Sequence, residues 1–99
     1  MESNPGIVFR TGPAGRRPGL AAGPDVWEIV RVFLGVDGRG DVALRQTAEL
    51  TGLPREQIDV ALRYYANHPA EVDDWIRRVD EEAARSEAAW QREQDLLRR

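Results

Sequence analysis

The sequence predicts a mainly α protein with an N-terminal β-hairpin, a helix-turn-helix core and a long C-terminal helix. Three observations carry that prediction. Apolar residues recur at helical spacing in stretches between Asp25 and Asn67. Ala48, Gly52, Ile58 and Leu62 hold the close-crossing, turn and apolar positions of two helices joined by a tight turn. From Pro69 onward the chain reads as one polar helix, and about thirty residues at about 1.5 Å each extend about 45 Å, longer than a domain of this size is wide. The expected organisation is a hairpin and helix-turn-helix unit over residues 1–68, followed by an amphipathic, partner-binding helix over residues 69–99.

Met1–Gly6 contains Pro5 and Gly6, shows no period and is expected to fray. Ile7-Val8-Phe9-Arg10-Thr11 is a short β-branched and aromatic run, a first strand. Gly12-Pro13-Ala14-Gly15 breaks it. Arg16–Ala22 returns as a second strand, which Pro18 confines to a sheet edge. Two strands alone are marginal in water. The hairpin must therefore pack on a helix or pair with a second copy of itself.

Gly23-Pro24-Asp25 opens the first helix, with proline suited to its first turn. Trp27, Val30 and Phe33/Leu34 form its stripe, and Val26 and Ile29 widen it. That breadth predicts burial on more than one side and puts this helix, Trp27 included, at the centre of the core. Gly35–Gly40 is a loop. Asp37 and Asp41 do not make it a calcium loop, because Arg39 and Ala48 fall on ligand positions. Gly38-Arg39-Gly40 lacks the rest of a dinucleotide fingerprint.

Asp41 is the expected N-cap of the next helix, Val42–Thr51. Leu44, Thr47/Ala48 and Thr51 face inward, flanked by Val42 and Leu50. Gly52 supplies the left-handed residue that closes this helix, and Pro54 starts the next. There Ile58, Ala61, Leu62 and Tyr65 share one face at i, i+3, i+4 and i+7. The opposite side shows Arg55, Glu56, Asp59, Val60, Arg63 and Tyr64. Asn67-His68-Pro69 ends it, since the residue before proline is pushed out of the α region. The terminal helix then carries a narrow seam: Val72, Trp75/Ile76, Val79, Ala83, Ser86, Trp90 and Leu97. Its first part, with Trp75, Ile76 and Val79, packs on the core. The part from Ala84 onward has no obvious partner within the chain. Asp74–Arg78 and Glu81–Arg85 are expected acid-first pairs at i,i+4.

Composition excludes most chemistry. Ninety-nine residues allow one compact domain. The absence of cysteine rules out disulfides and thiolate metal sites, and fits a reducing cytoplasm. The N-terminal stretch has no apolar h-region. The longest apolar run, Ile29–Val36, is interrupted by Arg31 and falls far short of the ~20 residues that span a bilayer. A soluble, cytoplasmic protein without membrane association is expected. With one histidine and only Ser3 and Ser86 as serines, nucleophile–base arrangements are scarce. His68 reads as a cap or turn residue. No enzyme, cofactor or metal is expected.

The net charge is −3, with six bases and nine acids in residues 69–99 and equal numbers of each before that. Arg10, Arg16 and Arg17 form a local basic patch. Every base of the Lys/Arg class is arginine, which suits bidentate contact to phosphate, carboxylate or guanine. If the helix-turn-helix reads DNA, Arg55, Gln57, Asp59 and Arg63 face the major groove, with Arg55 and Arg63 foremost. Arg45, Arg16 and Arg17 then hold phosphates. A plain αα-corner uses the same turn and the same apolar positions, so both readings stay open.

Several short pieces carry a family resemblance. They are Gly15-Arg16-Arg17, Gly23-Pro24-Asp25-Val26-Trp27-Glu28-Ile29-Val30 and Ala48-Glu49-Leu50-Thr51-Gly52-Leu53, then Ala61-Leu62-Arg63-Tyr64-Tyr65-Ala66 and His68-Pro69-Ala70-Glu71-Val72-Asp73. In this order, over about residues 7–76, the chain resembles short bacterial VapB-type antitoxin-like proteins. It departs from them at Pro18-Gly19-Leu20-Ala21-Ala22-Gly23 and in an extended loop, Val36–Asp41. The resemblance implies a hairpin followed by a helix-turn-helix and a homodimer that binds its own operator DNA. It also implies a C-terminal segment that neutralises a PIN-like ribonuclease toxin. On this chain the partner-binding residues would be Val72, Trp75, Ile76, Val79, Trp90 and Leu97. The alternative is an interaction adaptor whose helix-turn-helix is only structural and never touches DNA.

Overall fold

A computed structural model describes residues 6–12, 15–21 and 23–99. The expected fraying of residues 1–5, the breaker residues Pro13 and Ala14, and Ala22 at the end of the second strand lie outside the described residues. The elements run β1 (Ile7–Gly12), β2 (Gly15–Leu20), α1 (Val26–Gly35), α2 (Asp41–Thr51), α3 (Arg55–Asn67) and α4 (Pro69–Leu97). The fold is mainly α, with an N-terminal hairpin and a long terminal helix, as the sequence predicts.

The strands pair antiparallel in a register from Ile7 opposite Leu20 to Gly12 opposite Gly15. Pro18 lies opposite Phe9. In a two-stranded sheet both strands are edges, so its missing donor is tolerated. The hairpin is held by lying on helices. The Phe9 ring meets the Tyr64 ring edge-on at 6.3 Å, and Pro18 and Leu20 are buried.

A half-buried charge cluster ties this sheet to the start of α1. Arg10 donates from Nη1 to Asp25 Oδ1 at 2.7 Å, and from Nη2 to the carbonyls of Leu20 and Gly23 at 2.7 and 2.8 Å. Arg17 Nε donates to Asp25 Oδ2 at 2.5 Å. Gly19 makes room for this arrangement: a Cβ there would lie 1.9 Å from Arg10 Nη1. Asp25 also precedes α1 as its N-cap residue, and the Glu28 carboxylate reaches back to accept the Asp25 backbone N–H at 3.1 Å.

Helix α1 packs against β2, α2, α3 and α4 and is the centre of the core, as expected. Its buried stripe is Val26, Ile29 and Val30. Trp27 is only partly buried against the core, and Leu34 is 56% exposed. The stripe is thus rotated from the expected one, because the hairpin and α4 cover the Val26–Ile29–Val30 side.

Helix α2 buries Ala43 and Thr47. Leu44 and Ala48 are partly buried, whereas Val42 and Leu50 are exposed. Thr47 tolerates full burial because its hydroxyl donates to the Ala43 carbonyl at 2.7 Å. Asp41 is not the N-cap. Gly40 occupies that position at φ +57°, and Asp41 is the first helical residue. Gly52 closes the helix at φ +71°, donating its N–H to the Ala48 carbonyl at 2.8 Å, as predicted. Helix α3 begins at Arg55, one residue after the expected Pro54.

On α3, Ile58 and Ala61 are buried as predicted, but the third buried residue is Tyr64, expected on the solvent side. The hairpin and α4 cover that side. The Tyr64 hydroxyl donates to the Glu71 carboxylate at 2.9 Å, and its ring stacks on His68 at 4.4 Å. His68 joins the two helices, ending α3 and preceding α4.

Tyr65 is half-buried, and its hydroxyl donates to Asp73 Oδ1 at 2.7 Å. That bond first, then burial and the carboxylate's charge, hold the phenol above its usual 10.0. The folded state favours the protonated phenol. The contribution is therefore full below an unfolded pKa of about 10 and is lost as pH rises through the higher folded value. Tyr65→Phe is expected to lower stability by less than about 1 kcal/mol near neutrality, because the bond faces solvent. The two proteins should converge at strongly alkaline pH in urea titrations; a gap that persists there would assign the loss to packing instead.

Candidate functional site

Helix α4 divides into a root and an arm. At the root Val72 is fully buried, Trp75, Ile76 and Val79 are half-buried, and Arg31 on α1 pairs with Asp80 at 2.7 Å. Every residue from 80 to 93 is exposed. The helix is 29 residues long, and the molecule measures 56 × 32 × 23 Å. Its radius of gyration is 16.3 Å, against about 13 Å for a compact chain of this length. The excess is the arm.

This division corrects one expected partner-binding residue. Val72 belongs to the core beside Ile29, Val30 and Ile58, and cannot meet a partner without unfolding the root. The expected seam runs from the core straight into the arm, and spacing alone does not mark where one becomes the other. Trp75, Ile76 and Val79 stand at the junction, with Ile76 packed against the core. Trp90 and Leu97 are 55% and 72% exposed, and the adjacent Leu96 is exposed as well. These apolar side chains project from a helix that nothing among the described residues covers.

Arginine borders the seam. The Arg78 guanidinium lies 4.5 Å from the centre of the Trp75 ring. With Val79, Glu81, Glu82 and Arg85 this pair lines an open groove of about 430 Å³ at the root of the arm. Ion pairs run along the helix. Arg77 bonds both Asp74 and Glu81, and Arg85 bonds Glu82 at 2.7 Å. Such exposed pairs are worth about 0–1 kcal/mol each and exchange readily.

The surface formed by α2 and α3 retains part of the expected DNA-contacting set. Arg45, Asp59 and Arg63 are exposed. Arg55 is exposed too, but its Nη2 donates to Asp41 Oδ1 at 2.6 Å, so a phosphate or base must displace that carboxylate. Asp59 lies four residues from both Arg55 and Arg63, which puts an acid between the two foremost bases of that face. Gln57 is half-buried, with its Oε1 buried near the loop at Gly23, and does not face outward. Arg17 is likewise not a free phosphate contact, since Asp25 holds it. Arg16 is exposed and lies over the Phe9 ring at 4.0 Å. The structure thus leaves Arg16, Arg45, Arg55 and Arg63 as the outward cations of the seven expected residues. The role of Asp25 was not visible beforehand. The sequence marks it only as part of the opening of the first helix, and its two arginine partners lie 15 and 8 residues away.

Among the described residues no group of three or more His, Asp or Glu is arranged to hold a metal ion, and no helix is long and apolar enough to cross a membrane. No family model, curated protein or solved structure matches the chain.

Proposed function

We propose that the chain is a non-enzymatic, cytoplasmic antitoxin-like protein, whose body presents α4 as an arm for another protein. The observation that carries this reading is the arm itself. No residue beyond Asp80 is buried, yet Trp90, Leu96 and Leu97 lie on it. An amphipathic helix that offers aromatic and aliphatic anchors suits docking into an apolar groove. The resemblance to VapB-type antitoxins supplies the class of partner, a PIN-like ribonuclease toxin. Operator DNA is the second proposed ligand, met by Arg45, Arg55 and Arg63.

The test is ribonuclease inhibition. A PIN-like ribonuclease encoded beside this chain should lose activity in proportion to added protein, and a chain ending before Ala84 should not inhibit it. Equal inhibition by both would remove the arm from the mechanism. For the DNA half, operator binding should weaken as salt rises. Arg55→Ala with Arg63→Ala should reduce the salt slope by about one for each phosphate no longer neutralised. A specific observation favours the adaptor reading over DNA recognition: Arg17 is held by Asp25, and the Gln57 amide oxygen is buried. If the parent protein shows no DNA affinity even at low salt, the helix-turn-helix is a structural corner and the arm is the whole function.

A further inference from the structure

We propose that Asp41 is a clasp on Arg55, holding its guanidinium off DNA until a phosphate displaces the carboxylate. The inference rests on the DNA half of the function proposed above and adds a regulating contact to that surface.

The geometry sets Arg55 apart from the other outward cations of α2 and α3. Its Nη2 donates to Asp41 Oδ1 at 2.6 Å. Among the described residues neither Arg45 nor Arg63 makes an ion pair. Asp59 lies one helical turn from Arg55 on α3, yet the bond goes to Asp41, 14 residues back at the first position of α2. Base before acid is the weaker order at i,i+4, and the fold supplies another acceptor across the α2–α3 junction. A carboxylate offers an arginine what a phosphate offers, an anionic oxygen that accepts a charge-assisted hydrogen bond. The two therefore compete for one guanidinium.

The exposure of the pair suits a contact that opens. The side chains of Asp41 and Arg55 are 85% and 55% exposed, so solvent screens the bond and DNA can reach it. Duplex DNA carries one negative charge per about 1.7 Å of its axis, a stronger attraction than a single surface carboxylate once the neighbouring arginines are in contact. The clasp also lowers the salt dependence of binding. A phosphate that takes Arg55 leaves Asp41 to recruit a cation from solution, which offsets the ion released from the DNA. From Asp37 to Arg63 the chain carries five acids and four arginines. With charges so nearly balanced, which arginine is held decides how strongly this surface attracts DNA.

Binding of the full chain to a mixed-sequence DNA duplex, followed by fluorescence anisotropy over a salt series, tests the clasp. Asp41→Asn should tighten binding about threefold at low salt and steepen the salt slope by up to about one. In an Arg55→Ala background the same substitution should gain about 1.5-fold or less and leave the slope unchanged, because no guanidinium is there to release. The pair is exposed, so the parent, the two single variants and the double variant should all melt within a few degrees of one another. Equal gains in the two backgrounds would make Asp41 an ordinary repelling charge and overturn the clasp. A parent that binds DNA and is unchanged by Asp41→Asn overturns the clasp alone. If none of the four chains binds DNA even at low salt, the DNA half of the proposed function falls and the clasp falls with it.

Discussion

Asp25→Ala is expected to lower the stability of the chain by about 2–3 kcal/mol, read as a fall in the urea midpoint at unchanged slope. The Asp25 side chain is only 12% exposed, and its two oxygens are divided between Arg10 and Arg17. Removing it leaves both guanidinium groups without their carboxylate at the joint between hairpin and α1. Breaking a fully buried pair costs about 3–5 kcal/mol. The two arginines here are about a third exposed and can regain water, which sets the lower figure. Arg10→Ala should cost nearly as much, because the same side chain also holds the carbonyls of Leu20 and Gly23. The double variant should cost clearly less than the sum of the two, with a coupling of about 1 kcal/mol or more. Additive losses, or an Asp25→Ala effect below about 0.5 kcal/mol, would mean that the hairpin is held by its apolar contacts through Phe9, Pro18 and Leu20. Arg17 takes a structural role on the same grounds. Weaker DNA binding by Arg17→Ala would have to be separated from a loosened hairpin before it counted as evidence that Arg17 touches a phosphate.

How much of this could be read beforehand depended on whether the cause was local. Gly52 announced the end of α2 because only glycine takes its φ at no steric cost. Ile58 and Ala61 were legible because helical period alone fixes which residues share a side. Tyr64 and Tyr65 were exchanged, because period cannot say how far round a helix the cover extends. Tyr64 is buried by Phe9 from the hairpin and by the first turn of α4, contacts that a local pattern does not encode. Arg55 and Asp41 likewise meet across 14 residues. In the candidate site the length of α4 foretold an unsupported arm, and Trp90 and Leu97 are exposed as that implied. Val72 was misplaced because the seam is continuous, and only the packing of α4 on α1 and α3 separates root from arm.

Val72→Asp and truncation before Ala84 should therefore have opposite outcomes, although both alter the same helix. Val72 has no exposed surface and packs within the cluster of Ile29, Val30 and Ile58. A carboxylate there has no cation to meet it among those neighbours, and its burial together with the lost valine should cost about 3 kcal/mol or more. For a domain of this size that is a fall in melting temperature of about 12 °C or more, and partner binding should fail through unfolding of the root. Truncation removes 16 residues, none of them buried. The thermal transition should stay within a few degrees of the parent's while partner binding is lost. The cost should be only the fraying of a new helix end. Calorimetry on the two proteins decides the matter. A truncated chain that lost its transition would make the arm part of the core. A Val72→Asp chain that melted normally would detach the whole of α4 from the body, with the root no longer separable from the arm and Ile76 and Asp80 free to join Trp90 on one binding face.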